Sequence, residues 1–180
     1  FFTMDLERAR GALSQVPWVR NVALRRQWPH RLEVAVDEHE PLARWNDGAL
    51  VNVRGEVFVA QTGAELPQFD GPDGRAGDVA ARYRAWSDAL RPLALAVREV
   101  RLSPRGGWQV RVAGPQGALA IDLPRDEPDA RLAQFVSVHG RTLGALARSG
   151  TRVEAVDLRY RNGFAARIPA FRERTGKPRA

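Results

Sequence analysis

The sequence predicts an α+β fold, with a small α/β domain in residues 1–42 and a mostly antiparallel β domain with two helices in residues 43–168. Two observations carry this prediction. The first domain reads helix, strand, turn, strand, and the second contains many short segments in which apolar and polar residues alternate. Glycine, proline, asparagine and aspartate separate those segments. The basic stretch 169–180 is expected to be disordered.

The small domain begins with an amphipathic helix. Apolar residues recur at helical spacing from Leu6 to Val16, and Pro17 ends the pattern. Residues 18–26 and 31–38 then alternate between apolar and polar positions, as two strands with one face on a core do. A helix and a strand pair of this length form a compact unit that is small for independent stability.

The larger domain contains two stretches with helical spacing. The first runs from Asp78 to about Ala96. Asp126 and Glu127 open the second, because acidic residues favour the first turn of a helix, and Gly150 is expected to stop it. Strands are predicted around these helices, at residues 43–45, 49–53, 57–60, 97–102, 108–112 and 118–123.

The last regular segment, residues 153–168, predicts a hairpin. Residues 153–159 alternate like a strand, Asn162 and Gly163 suit a tight turn, and residues 164–168 form the return strand. Because only the short tail follows, the return strand is expected at the edge of the sheet. Two interpretations stay open: the hairpin closes the sheet, or its unpaired backbone groups bind a partner.

The overall charge does not predict a nucleic-acid site. Lysine and arginine number 28 against 21 acidic residues, which gives a net charge of +7, and all but one of the basic residues are arginine. These arginines are spread along the whole chain, whereas a nucleic-acid site requires a basic patch. A solvated, arginine-rich surface is the simpler interpretation.

No catalytic or metal-binding constellation is predicted either. Cysteine is absent, so disulfides and thiolate zinc sites are excluded, and His30, His39 and His139 lack ligand spacing. The acidic cluster at residues 37–40 lies at a strand end, where exposed charge is expected. No nucleophile motif or phosphate-binding glycine loop is present. We therefore expect a protein without a cofactor that is not an enzyme.

The order and spacing of several short motifs resemble a known family. Residues 16–19 read P-W-V after a valine, and residues 40–45 read E-P-L-A-R-W. Together with residues 25–29, they resemble the POTRA domain of the FtsQ (DivIB) family of bacterial cell-division proteins. Residues 50–58 and the V-D-L-R-Y motif at 156–160 resemble the second, β domain of the same family.

This resemblance implies a location and a set of partners. It implies a single-pass protein of the inner membrane, concentrated at the division septum, whose cytoplasmic tail, membrane helix and first POTRA strand precede Phe1. The present chain would be the periplasmic part. The family implies a non-enzymatic scaffold that binds FtsB, and through it FtsL, and that links early divisome proteins to the septal peptidoglycan synthase. The POTRA domain would serve recruitment of other divisome proteins.

The resemblance also implies a binding site. In the family, a partner segment adds as a strand beside the terminal β-strand. Arg159 and Tyr160 match the L-R-Y positions, residues 164–167 would be the accepting strand, and Arg105 matches an arginine that pairs with an acidic partner residue. The expected partner-binding residues are Arg105, Arg159, Tyr160, Asn162, Gly163, Phe164, Ala165, Ala166 and Arg167. Many relatives have serine where Asn162 stands and a small residue where Phe164 stands.

A second functional class is a POTRA-containing module for outer-membrane protein assembly or secretion. Such proteins usually carry POTRA repeats or a following barrel, and neither is visible in this sequence. A third is binding of an anionic polymer through the arginines, which would depend steeply on salt.

Overall fold

A computed structural model describes residues 6–28 and 31–169, and this part of the chain forms two sheets and four helices. The predicted tail lies outside the described residues, apart from Pro169. None of the described helices combines the length and the apolar composition that are needed to cross a membrane.

The first sheet has two strands and one helix beside it. Helix α1 (Leu6–Ser14) packs against β1 (Val19–Gln27), which pairs antiparallel with β2 (Arg31–Glu38). Val22 on β1 is 2% exposed, so it anchors the small core of this sheet. The predicted helix and the two strands that follow it are confirmed, whereas Pro29 and His30 of the predicted turn lie outside the described residues.

The second sheet has nine strands in the order β11-β10-β9-β8-β7-β6-β3-β4-β5. Five of the eight neighbouring pairs are antiparallel, whereas β3–β6, β6–β7 and β9–β10 are parallel. The predicted α+β class with mostly antiparallel strands is confirmed. The strands are β3 (Pro41–Trp45), β4 (Ala49–Asn52), β5 (Val57–Phe58), β6 (Gln68–Asp70), β7 (Ala96–Leu102), β8 (Trp108–Gly114), β9 (Gly117–Leu123), β10 (Ala155–Asp157) and β11 (Ala165–Arg167).

The helices beside this sheet differ from the prediction in two respects. Helix α2 (Ala76–Leu90) continues as a 3-10 turn to Leu93 and so ends before the predicted Ala96, where β7 begins. The single helix predicted between Asp126 and Gly150 is wrong. It is two helices, α3 (Pro128–His139) and α4 (Leu143–Arg148). Gly140 weakens the helix at the break, and the Thr142 hydroxyl bonds back to the Val138 carbonyl at 2.9 Å.

The core lies between the sheet and its helices. Apolar residues of neighbouring strands, such as Phe69, Val100 and Ile121, are fully buried. Alternate strand positions carry polar side chains, for example Gln109 and Asp122, which are hydrogen-bonded at 2.9 Å across β8 and β9. The period of two along each strand thus separates an apolar face from a polar one.

The two sheets are joined by an ion-pair cluster and an aromatic stack. Arg20 on β1 binds Asp37 on β2 and Glu56 before β5, each at 2.7 Å. The His39 ring stacks on Phe58 with centroids 4.2 Å apart. These contacts connect the end of the first sheet to β5.

Candidate partner-binding edge

Strand β11 ends the nine-stranded sheet, and within residues 6–28 and 31–169 it pairs with β10 alone. The sheet order therefore agrees with the predicted edge position. Ala155 lies opposite Arg167, and Asp157 lies opposite Ala165. The Arg167 carbonyl also accepts the Glu154 N–H at 3.0 Å, so the backbone groups of Arg167 face β10.

Ala166 is the residue of β11 whose backbone faces the open side. Neighbouring residues of a strand direct their N–H and C=O groups to opposite sides. Because the backbone groups of Ala165 and Arg167 face β10, those of Ala166 face away from it. All three residues are exposed. An exposed strand edge with an unpaired N–H and C=O is the geometry that accepts an additional strand.

The connection between β10 and β11 is longer than predicted. It covers residues 158–164, so the tight turn expected at Asn162 and Gly163 is wrong, and neither residue has a positive φ. The cause is Leu158, which is 3% exposed and donates its N–H to the Asp122 carbonyl at 2.8 Å. This bond continues the contact of β10 with β9 and delays the reversal of the chain.

Arg159 is folded back onto Asp157. The Asp157 carboxylate accepts the Arg159 Nε–H at 2.8 Å, its Nη2–H at 2.6 Å and its backbone N–H at 3.0 Å. The side-chain hydrogen bonds lower the pKa of Asp157 and raise that of Arg159. Any partner that contacts Arg159 therefore meets a guanidinium that is already paired with Asp157.

Tyr160 projects from the start of this loop. It is 58% exposed and stands at a bend of the chain. The next residue is tied down, because the Arg161 carbonyl accepts an Nη1–H bond from Arg131 on α3 at 2.7 Å. The loop is therefore anchored while the Tyr160 ring remains available.

A groove of about 250 Å³ separates the loop from α3. The predicted site residues Asn162, Gly163 and Phe164 line it from the loop side, and Phe135 and Val138 line it from the helix. The Phe164 ring meets Phe135 edge-to-face with centroids 6.0 Å apart. Strand β11 begins at Ala165, so the prediction that the return strand begins at Phe164 is wrong, and the Phe164 side chain packs on the helix instead.

Arg105 lies at the same end of the sheet as the loop between β10 and β11, but on a different hairpin. It is exposed in the turn between β7 and β8, just before Trp108, which pairs with Leu123 on β9. Asp122 on β9 pairs with Asp157 on β10. Since neighbouring strands lie about 4.8 Å apart, the start of β8 is roughly 10 Å from the end of β10.

Sequence reasoning missed the contribution of α3 to this site. It gave neither Arg131 nor Phe135 a role in partner binding. Arg131 and Arg161 are 30 positions apart, and no local pattern pairs residues at that distance. The stripe of apolar residues on α3 was the one available signal, and it does not distinguish a core helix from a groove wall.

The fold and this edge define a two-sheet α+β protein whose larger sheet ends in an open strand. The family profile described as "POTRA domain, FtsQ-type" matches residues 1–39, and the profile "Cell division protein FtsQ/DivIB, C-terminal" matches residues 43–159. The chain belongs to the FtsQ/DivIB family of cell-division proteins. The resemblance seen in the sequence motifs is confirmed, as is a role in cell division.

Curated relatives support the same assignment. The cell division protein FtsQ of Burkholderia pseudomallei is 42% identical over 176 residues, which cover 96% of this chain and 69% of that protein. FtsQ of Nitrosospira multiformis is 40% identical, covering 93% of this chain and 68% of the relative. FtsQ of Escherichia coli is 31% identical, covering 92% and 60%. Membership in this family implies interactions with other proteins of the divisome.

Proposed function

We propose that this chain is a non-enzymatic scaffold that binds FtsB, and through FtsB also FtsL, by accepting a strand of FtsB at the open side of β11. The observation that carries the proposal is the outward backbone of Ala166 on an exposed edge strand. The chain acts in the periplasm as part of a single-pass inner-membrane protein at the division septum. There it links early and late cell-division proteins and helps to control septal peptidoglycan synthesis.

The short length of β11 requires further contacts. Three residues supply few backbone hydrogen bonds, and each contributes about 0.5–1.5 kcal/mol net. Tyr160 adds an exposed aromatic ring beside the strand, and Asn162 and Gly163 border the groove against α3. Aromatic side chains of this kind dominate the binding energy of many interfaces.

Two arginines supply charge for an acidic partner segment. Arg105 is exposed in its turn, and Arg159 is exposed although it is paired with Asp157. A partner carboxylate competes with Asp157 for the guanidinium of Arg159. We assign Arg105 the long-range attraction and Arg159 a contact that is formed only when the partner is seated.

The first domain has a separate role in this proposal. Residues 1–42 recruit other divisome proteins, whereas residues 43–168 hold the FtsB site. The alternative function, a POTRA module for outer-membrane protein assembly or secretion, finds less support, because the similar curated proteins are named as cell division proteins.

The decisive test is a calorimetric titration with the periplasmic part of the organism's own FtsB. Ala166→Pro removes the outward N–H and should weaken binding at least tenfold, because proline on an edge strand is tolerated when its N side faces solvent. Ala166→Val keeps the N–H and is the matched control, which should bind as the wild type does. Unchanged binding by a folded Ala166→Pro variant would refute strand addition.

A further inference from the structure

The tip of the β1–β2 hairpin has features that partner binding at β11 does not explain. Trp28 follows β1 directly and is 92% exposed, more than any other large apolar side chain in the described part of the chain. Tryptophan has one of the largest apolar surfaces that a side chain can bury, and here that surface stays exposed to water. Trp28 stands directly after the end of β1, so its ring is accessible to a surface outside this chain.

The surroundings of Trp28 are basic. Arg25, Arg26 and Arg31 lie within three residues of it, and all three are exposed. Within residues 25–33 the one acidic residue is Glu33, which lies opposite Arg25 in the strand register and accepts a 3.5 Å hydrogen bond from Gln27. Three arginines and one glutamate give this segment a net positive charge, although Glu7 on α1 lines the same surface groove as Arg25.

The tip also lies at the far end of the hairpin from the second sheet. Arg20, near the start of β1, binds Glu56 of the second sheet, whereas Gln27 ends the strand seven residues later. At about 3.3 Å per residue, roughly 23 Å separates the tip from that contact. The tip can therefore contact another surface without involving the second sheet.

We propose that this tip contacts the surface of an anionic phospholipid bilayer, with the Trp28 indole among the headgroups and Arg25 and Arg31 facing lipid phosphates. The proposal goes beyond partner binding, and it rests on the proposed inner-membrane location for its setting in the cell. Tryptophan favours the bilayer interface because its ring is apolar and its N–H is polar, and arginines are attracted to anionic lipids.

A bilayer fits these features better than a protein partner does. A stable protein interface covers about 800 Å² on each side, whereas one tryptophan buries at most about 250 Å². A single projecting ring offers too little area for such an interface. A lipid surface deforms around a projecting side chain, and the arginines add attraction without a shaped pocket.

The test uses the chain with vesicles of phosphatidylglycerol and brominated phosphatidylcholine at low ionic strength. Of the five tryptophans, Trp45, Trp86 and Trp108 are buried, and Trp18 is partly buried against Phe58 at the other end of the hairpin, so bromine quenching reports chiefly on exposed Trp28. We expect cosedimentation with the vesicles and quenched fluorescence. Trp28→Ala should lower the partition coefficient about tenfold and abolish most quenching.

Charge is tested with two matched double variants. Arg25→Gln with Arg31→Gln should lower the partition coefficient about fivefold for each arginine. Arg98→Gln with Arg141→Gln removes the same charge from exposed positions outside the hairpin, and should have a much smaller effect. Vesicles of phosphatidylcholine alone should bind little of the wild-type chain.

Several outcomes would overturn the proposal. These are absence of wild-type binding, equal binding by Trp28→Ala, equal losses in the two double variants, and equal binding to uncharged vesicles. Titration of Trp28→Ala with FtsB keeps this result separate from the proposed function, since that variant should bind FtsB as the wild type does. Circular dichroism melting verifies that each variant is folded.

Discussion

The Asp157 carboxylate holds the Arg159 guanidinium by two side-chain hydrogen bonds of 2.8 and 2.6 Å, at the point where the chain leaves β10. The pair is exposed on the arginine side, where the side chain is 62% accessible, and mostly covered on the aspartate side. An exposed ion pair of this kind contributes little to stability. The positive charge of Arg159, which was predicted to contact a partner, is therefore already paired with the Asp157 carboxylate of the same chain.

Replacing Asp157 by asparagine should strengthen binding of an acidic FtsB segment. The side-chain oxygen still accepts the Arg159 N–H, so the local turn is kept, while the competing charge is removed. We expect affinity to rise about threefold at low salt and the gain to shrink as salt screens the pair. Calorimetry at two ionic strengths measures this, and a loss of affinity would show that the ion pair positions the loop instead.

Tyr160→Ala should abolish most partner binding without affecting the fold. The ring is 58% exposed, so its removal should change the free energy of unfolding by less than about 0.5 kcal/mol. At an interface, loss of such a ring costs about 2 kcal/mol, which is roughly a thirtyfold loss of affinity. Tyr160→Phe is the control and should retain most of the wild-type affinity. Wild-type affinity in the alanine variant would exclude Tyr160 from the site.

Phe164→Ala should affect stability as well as binding. The ring packs edge-to-face on Phe135 and is half-buried, so its loss should cost about 2 kcal/mol of unfolding free energy. Phe164→Leu should lose less than half of that. Urea denaturation measures both variants. If Phe164→Ala is as stable as the wild type and only binding falls, Phe164 is a contact residue and not a support of the loop.

The junction between the two sheets should weaken in acid. Hydrogen bonds from Arg20, and then from Asn52, lower the pKa of Glu56 to about 2. Because the folded-state value lies below the unfolded value, the stabilisation is complete above about pH 4.5 and is lost as the pH falls toward 2. The difference in melting temperature between wild type and Glu56→Gln should therefore narrow across this window. A difference that stays constant down to pH 2 would contradict this assignment.

Asp129→Ala should destabilise the contact between α2 and α3. The Trp86 Nε1–H donates to Asp129 at 2.7 Å, and Trp86 is 2% exposed, so the variant leaves a buried donor without its acceptor. Such a loss costs about 1–3 kcal/mol. Asp129→Asn keeps an acceptor and should cost less, with the remaining loss due to the ion pair with Arg82. Equal stability of wild type and Asp129→Ala in urea would exclude this role.

Sequence patterns predicted much of this fold because they report on each segment's own surroundings. Alternation identified β7, β8 and β9 closely, and helical spacing identified α2. The same patterns predicted the strand that the structure shows at the edge of the larger sheet, β11. They failed where one local preference competed with another, as at Gly140 and Thr142, where a helix with a continuous apolar stripe is interrupted.

The sequence by itself determined the class of fold, the α1-β1-β2 unit and the motifs that identify the family. Only the tertiary structure decided that β10 inserts parallel to β9, that Leu158 delays the chain reversal, and that Arg159 is paired with Asp157. It also decided that Phe164 faces Phe135 across a groove. Periodicity describes which face of a segment is buried, whereas these contacts depend on which distant segment covers that face, and that choice is made by the packing of the whole chain.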